Sequence, residues 1–182
     1  MKRVVITPAD LAGPALADLK KWLAISGERD DAALIDLLHA ALDNCEAFTG
    51  TMPLEQSCSE MLAPNTAWQT LAARPVQSVS QIDSVTAGGA VIAVPIQDFA
   101  IELEADGTAR VRLASPAAGA TVTVRFDAGL APGWAALPGG MRHGILRYAA
   151  EAFRERDSGS PPEGISSAIA ALWRPWCRPR LA

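Results

Sequence analysis

Between Asp30 and Gly50, apolar residues recur at Leu34, Leu38, Ala41, Cys45 and Phe48. These spacings of 4, 3, 4 and 3 trace one face of an α-helix. Ile35, Leu37 and Leu42 widen the stripe, and Asp36, His39, Asp43 and Glu46 form the opposite face. Asp30 or Asp31 is placed to cap the start, and Gly50 to stop the end. Upstream, Leu16, Leu19, Trp22 and Leu23 share one face of a shorter helix that lies within Pro8–Ile25 and is ended by Ser26-Gly27. The short GERDD connection implies an antiparallel helical hairpin.

From about Leu54 to Asp127 the period falls to two. Pro64, Pro75, Pro95 and Gly88-Gly89 break any helix. Ile101 and Leu103 alternate with Glu102 and Glu104, an Asp106-Gly107 turn follows, and Val111 and Leu113 alternate with Arg110 and Arg112, which predicts a hairpin. A further strand runs Thr121–Phe126 with Val122, Val124 and Phe126 inward, and Gln77–Val85 is a strand of less regular alternation. Pro138-Gly139-Gly140 then opens a long helix to about Arg156. Met141, Ile145, Tyr148, Ala149 and Ala152 make its apolar face, beside Phe153, and Arg147 can pair with Glu151. DSGSPPEG is a loop, and residues 164–173 form one short further helix. The predicted class is α+β in a single domain. A helical bundle (8–50 and 138–172), made of the N-terminal helix pair and the C-terminal helix, carries an inserted antiparallel β-sheet lobe (54–127) and an extended C-terminal tail (173–182).

Composition adds limits. With 182 residues, 49% apolar and 20% charged, the chain can bury a core without disulfides or metals. No apolar run is long enough to span a bilayer, and MKRVVITPADLAG is too short-cored for a signal peptide. Cys45, Cys58 and Cys177 are odd in number and widely spaced, which speaks against a disulfide framework and for a reduced, cytosolic place of synthesis. The net charge of −4 is uneven: −5 over residues 1–63, −2 over 64–136 and +3 over 137–182. An acidic body argues against tight, sequence-independent DNA binding.

The same residues offer little chemistry. His39 and His143 are the only histidines, and no GxSxG elbow is present. Asp36, His39 and Asp43 share a helix face, but a solvated face explains them better than a metal. GGMRHG lacks the GK[ST] of a phosphate loop and reads as a flexible helix entry. Glu102 and Glu104 fit a solvated sheet face, and Cys58 sits between serines with no base. The expectation is a non-enzyme without cofactor or metal.

The C-terminus is different. LWRPWCRPRLA holds two of the five tryptophans, three arginines and no acid. Tryptophan and arginine dominate binding hot spots, and prolines reduce the entropy lost on docking. Trp173, Arg174, Trp176, Arg178 and Arg180 are therefore the candidate partner-binding residues. For Trp173, at the end of the short helix, inward packing is equally open. Membrane anchoring is disfavoured, since no long amphipathic helix accompanies the arginines.

The order of segments resembles the head–tail connector, or adaptor, proteins of long-tailed phages, prophages and phage-like gene transfer agents. ITPADLAGPALADLKKWLAI is similar to that family's opening, GERDDAALIDLLHAALDNCEAFTG to its most recognisable block, ARPVQSVSQIDSV to its Pro-Val strand, and VTVRFDAGL with LPGGMRHGILRYAAEAF to its closing strand and helix. TMPLEQSCSEMLAPNTAW and the tail depart from the pattern. The resemblance implies a structural subunit of a ring, commonly of twelve copies, in the neck of a particle assembled in the bacterial cytoplasm. It implies contacts with further copies, with the portal of a DNA-filled capsid and with the next neck or tail protein. DNA would pass through the lumen without specific binding, past an acidic wall that repels phosphate. Portal docking by the five tail residues is an inference from their chemistry. The rival readings are a stopper or tail-completion protein, a nucleic-acid-binding module using the C-terminal arginines, and a small enzyme whose site only the fold assembles.

Overall fold

The structure, a computed structural model, describes residues 3–117, 121–155 and 164–177. Its elements in chain order are β1 (Arg3–Thr7), α1 (Pro14–Leu23), α2 (Asp31–Thr49), β2 (Gln56–Leu62), β3 (Gln69–Thr70), β4 (Val76–Val85), β5 (Val91–Ala93), β6 (Phe99–Leu103), β7 (Ala109–Leu113), β8 (Thr121–Ala128), α3 (Gly139–Glu155) and α4 (Ser167–Trp173). The α+β class expected from the sequence is what the chain adopts. The chain divides into two compact units. One comprises residues 1–8 and 55–130, the other residues 9–54 and 131–182.

The β unit holds a five-stranded sheet of order β1-β2-β8-β4-β5 and a three-stranded sheet of order β3-β7-β6, every pairing antiparallel. β8 is central because its alternation is cleanest: Val122, Val124, Phe126 and Ala128 are buried, and Arg125 is exposed. On the other face Asp127 accepts the hydroxyls of Ser57 (2.6 Å) and Ser78 (2.9 Å), so the polar side of three neighbouring strands is cross-linked. The predicted β6–β7 hairpin forms, with Gly107 in the left-handed region at φ 80°. A side chain at Gly107 would strike Pro75, so this turn needs glycine for space as well as for conformation. Leu103, expected to face inward, is exposed.

Two features of this unit depart from the expectation. β4 is a full ten-residue strand; bulges at Val76/Ser78 and Val79/Gln81 caused its irregular alternation. β1, a stretch to which the sequence pattern assigned no element, pairs with β2 as an edge strand. Opposite Arg3 across that pair lies Glu60, fully buried, with Oε2 accepting the Ala72 N–H at 2.9 Å.

The helical unit is built from both ends of the chain. α1 begins with proline in its first turn and ends at Ala24, in the left-handed region at φ 57°, where the Ile25 N–H reaches back to the Lys20 carbonyl at 2.9 Å. α2 ends at Gly50 at φ 71°, as its sequence predicted. Lys20 and Asp31 form an ion pair of 2.7 Å between α1 and α2. The core comprises Leu16, Leu19, Leu34, Leu38, Ala41, Cys45, Met141, Ile145 and Ala149, with Trp134 sealing one side through a 2.9 Å bond from its indole N–H to Asp18. Trp22, which its spacing put on the buried face, is 42% exposed.

Candidate docking segment at the C-terminus

Of the five residues singled out in the tail, the structure describes three. Trp173 is the last residue of α4 and is fully buried. Its indole N–H donates to the Met141 carbonyl at 3.3 Å, and its ring packs beside Tyr148 (centroids 6.3 Å apart, planes at 29°) and Phe48 (6.0 Å, 51°). Trp173 is therefore a core residue and not an exposed anchor; a buried indole cannot also insert into a partner. Arg174, Pro175 and Trp176 form a turn of 3-10 helix rather than an extended strand, with Arg174 and Pro175 exposed and Trp176 half-buried. Arg178 and Arg180 lie outside the described residues.

The tryptophans sit where they do because α3 carries glycine at 140 and 144. A Cβ at Gly144 would lie 2.3 Å from the Trp173 Nε1, and one at Gly140 would lie 3.0 Å from the outer edge of the Trp176 ring. Two glycines one turn apart thus receive two tryptophans three residues apart. GGMRHG is a packing surface, not a flexible entry. The signal was available in the pairing of a Gly-x-x-x-Gly helix with a later Trp-x-x-Trp, each unusual alone.

Cys177 closes the described segment. Its Sγ lies 3.6 Å from the Phe48 carbonyl and 3.8 Å from that of Trp173. Burial, then the neighbouring Cys177 and Glu46, push the Cys45 thiol up to about 12, so Cys45 stays protonated and inert. The described segment is thus anchored on the helical unit through Trp173, with Arg174 and Pro175 at the surface and Trp176 half-buried. Such an arrangement can bind a surface but has no nucleophile with a base. Among the described residues no group of three or more His, Cys, Asp or Glu could hold a metal ion, and no helix is long and apolar enough to cross a membrane.

No protein-family profile matches the sequence, and no curated protein matches it. Solved structures do. A chain in the neck of an empty gene transfer agent particle, computed with C6 symmetry, superposes with a TM-score of 0.80 at 22% identity, over 100% of this chain and 98% of that one. This chain has the fold of a gene transfer agent neck protein. A chain in the neck of a native particle, computed with C12 symmetry, matches with a TM-score of 0.77 at 23% identity, and one in the native gene transfer agent virion with 0.73 at 24%. Each likeness covers the whole chain, and the likeness to gene transfer agent particles expected from GERDDAALIDLLHAALDNCEAFTG and VTVRFDAGL is found in the fold.

Proposed function

We propose that this protein is a structural subunit of the neck of a gene transfer agent or related phage-like particle. It forms a ring that joins the portal of the DNA-filled capsid to the next neck or tail component. The observation that carries this reading is the full-length likeness to neck chains at a TM-score of 0.80. The sixfold and twelvefold symmetries of the neighbours' necks support a ring of this chain too, and twelve copies satisfy both. Subunits are made in the bacterial cytoplasm, and DNA passes through the lumen without a specific site.

Within this reading the C-terminal segment docks on the portal. Arg174 and Trp176 start the contact, and Arg178 and Arg180 meet acidic portal groups. Trp173 acts as the buried root that fixes where the segment departs. Repetition around a ring makes modest individual contacts hold firmly.

Deleting the gene in a particle-producing strain, then restoring either the full chain or one ending at Cys177, tests this. DNA-filled or leaking heads beside separate tails, rescued by the full chain and not by the shortened one, are expected. Normal tailed particles without the gene overturn the neck reading. Full rescue by the shortened chain removes Arg178 and Arg180 from docking.

A further inference from the structure

A groove of about 440 Å³ opens on the helical unit, lined by Asp18, Lys21 and Trp22 of α1 and by Gly139, Arg142, His143 and Leu146 of α3. No residue of α2 lines it. Its lining is partly aromatic: Trp22 meets His143 edge-on with ring centroids 5.1 Å apart, and 42% of Trp22 stays exposed. It also carries two cations, Lys21 and Arg142. Among the described residues neither Lys21 nor Arg142 has an ion-pair partner, whereas Lys20 next door is paired to Asp31. The Asp18 carboxylate is held by the Trp134 indole. An exposed tryptophan in one groove with unpaired cations has the composition of an interface centre.

α2 presents the complementary surface. Its 19 residues contain no lysine or arginine. Its exposed positions are Ala32, Asp36, Ala40, Asp43 and Ala47, one stripe at spacings of 4, 4, 3 and 4. Asp36 and Asp43 have no partner among the described residues. The alanines leave room for an aromatic ring to approach the helix between two carboxylates. The stripe is turned away from α1 and α3, because Leu34, Leu38, Ala41 and Cys45 make α2's buried side.

We propose that the groove receives the Asp36–Asp43 face of α2 from a second copy of this chain. Lys21 and Arg142 meet the two carboxylates, and Trp22 lies over Ala40. A ring is built from a heterologous contact, in which two different patches of each subunit are complementary, and this unit carries such patches of opposite charge on different helices. The inference rests on the ring reading and supplies its subunit contact.

The test places p-benzoylphenylalanine at Trp22 in the otherwise full-length chain and irradiates purified particles. A photoproduct joining two copies, with the attached peptide mapping to residues 31–49, is expected. A cross-link to another protein or to DNA, or none in particles that contain the variant, overturns the groove's occupant while leaving the deletion test of the neck reading intact. Charge reversal gives a second measurement. Lys21→Glu with Arg142→Glu, and separately Asp36→Lys with Asp43→Lys, should each lower the yield of tailed particles at least tenfold, and all four changes together should restore it. Unchanged yield with either pair, or no restoration while the four-substitution chain stays folded by circular dichroism, overturns the contact.

Discussion

Gly144→Ala should destabilise the helical unit, although by helix propensity alone it should do the opposite. In a helix interior alanine is favoured over glycine by about 0.8–1 kcal/mol. At this position, however, the new Cβ would lie 2.3 Å from Trp173 Nε1, 2.8 Å from Cδ1 and 2.9 Å from Cε2. Those atoms belong to a rigid ring held by Tyr148, Phe48 and the Met141 carbonyl, so the whole indole must shift. Overpacking of this kind costs about 1–3 kcal/mol, and its upper range outweighs the propensity gain, for a net loss of about 1–2 kcal/mol. Trp173→Ala alone should cost about 3–5 kcal/mol, as for other large-to-small changes in a core. With Trp173 gone, Gly144→Ala should become stabilising by up to about 1 kcal/mol. The coupling is then about 2–3 kcal/mol, within the range for residues in contact. Urea unfolding of the four proteins, followed by helical circular dichroism, gives it directly. A higher midpoint for Gly144→Ala in the presence of Trp173, or a coupling of zero, would refute the packing of Trp173 on α3.

Four further outcomes follow from single residues. Ala24→Gly should raise stability by about 0.5–1 kcal/mol in thermal unfolding, since glycine adopts the left-handed α1 cap without alanine's penalty. Burial raises the Glu60 carboxyl above its ordinary 4.5, with the Ala72 N–H and the Arg3 charge opposing, so the native state holds its proton to higher pH than the unfolded chain. The β unit therefore loses stability as pH rises from 4.5 through the raised value, and the advantage of Glu60→Gln over the parent should grow as pH rises above 4.5; a pH-independent difference contradicts this. Trp134→Phe, which strips the buried indole donor from Asp18, should lower stability by about 1.5–3 kcal/mol by urea midpoint. In a thiol titration of the native protein the half-buried Cys177 should react first, with buried Cys45 and Cys58 protected until unfolding.

What could be read from the sequence was whatever had a long period or a strong turn. α2 was legible because its 4-3-4-3 stripe runs about four turns and is followed by glycine. The β6–β7 hairpin was legible because Asp106-Gly107 demands a turn there. β1 was not, since an edge strand with Val4 and Ile6 facing solvent buries too little to leave an alternating pattern. Trp22 shows that periodicity assigns a face but not its burial, because the groove beside it is a property of two helices. The tail stood out by composition, but Trp173 packs inward against Gly144, a partner distant in the chain that composition cannot supply. A consequence is that a chain ending before Trp173 would test folding and docking together, which is why truncation belongs after Cys177.

The measurement that tests the account most directly is a reconstruction of the neck from purified particles of the producing strain. A ring of this two-unit fold, twelve copies to the ring, is expected between portal and tail. Particles whose neck density is complete without this chain would contradict it.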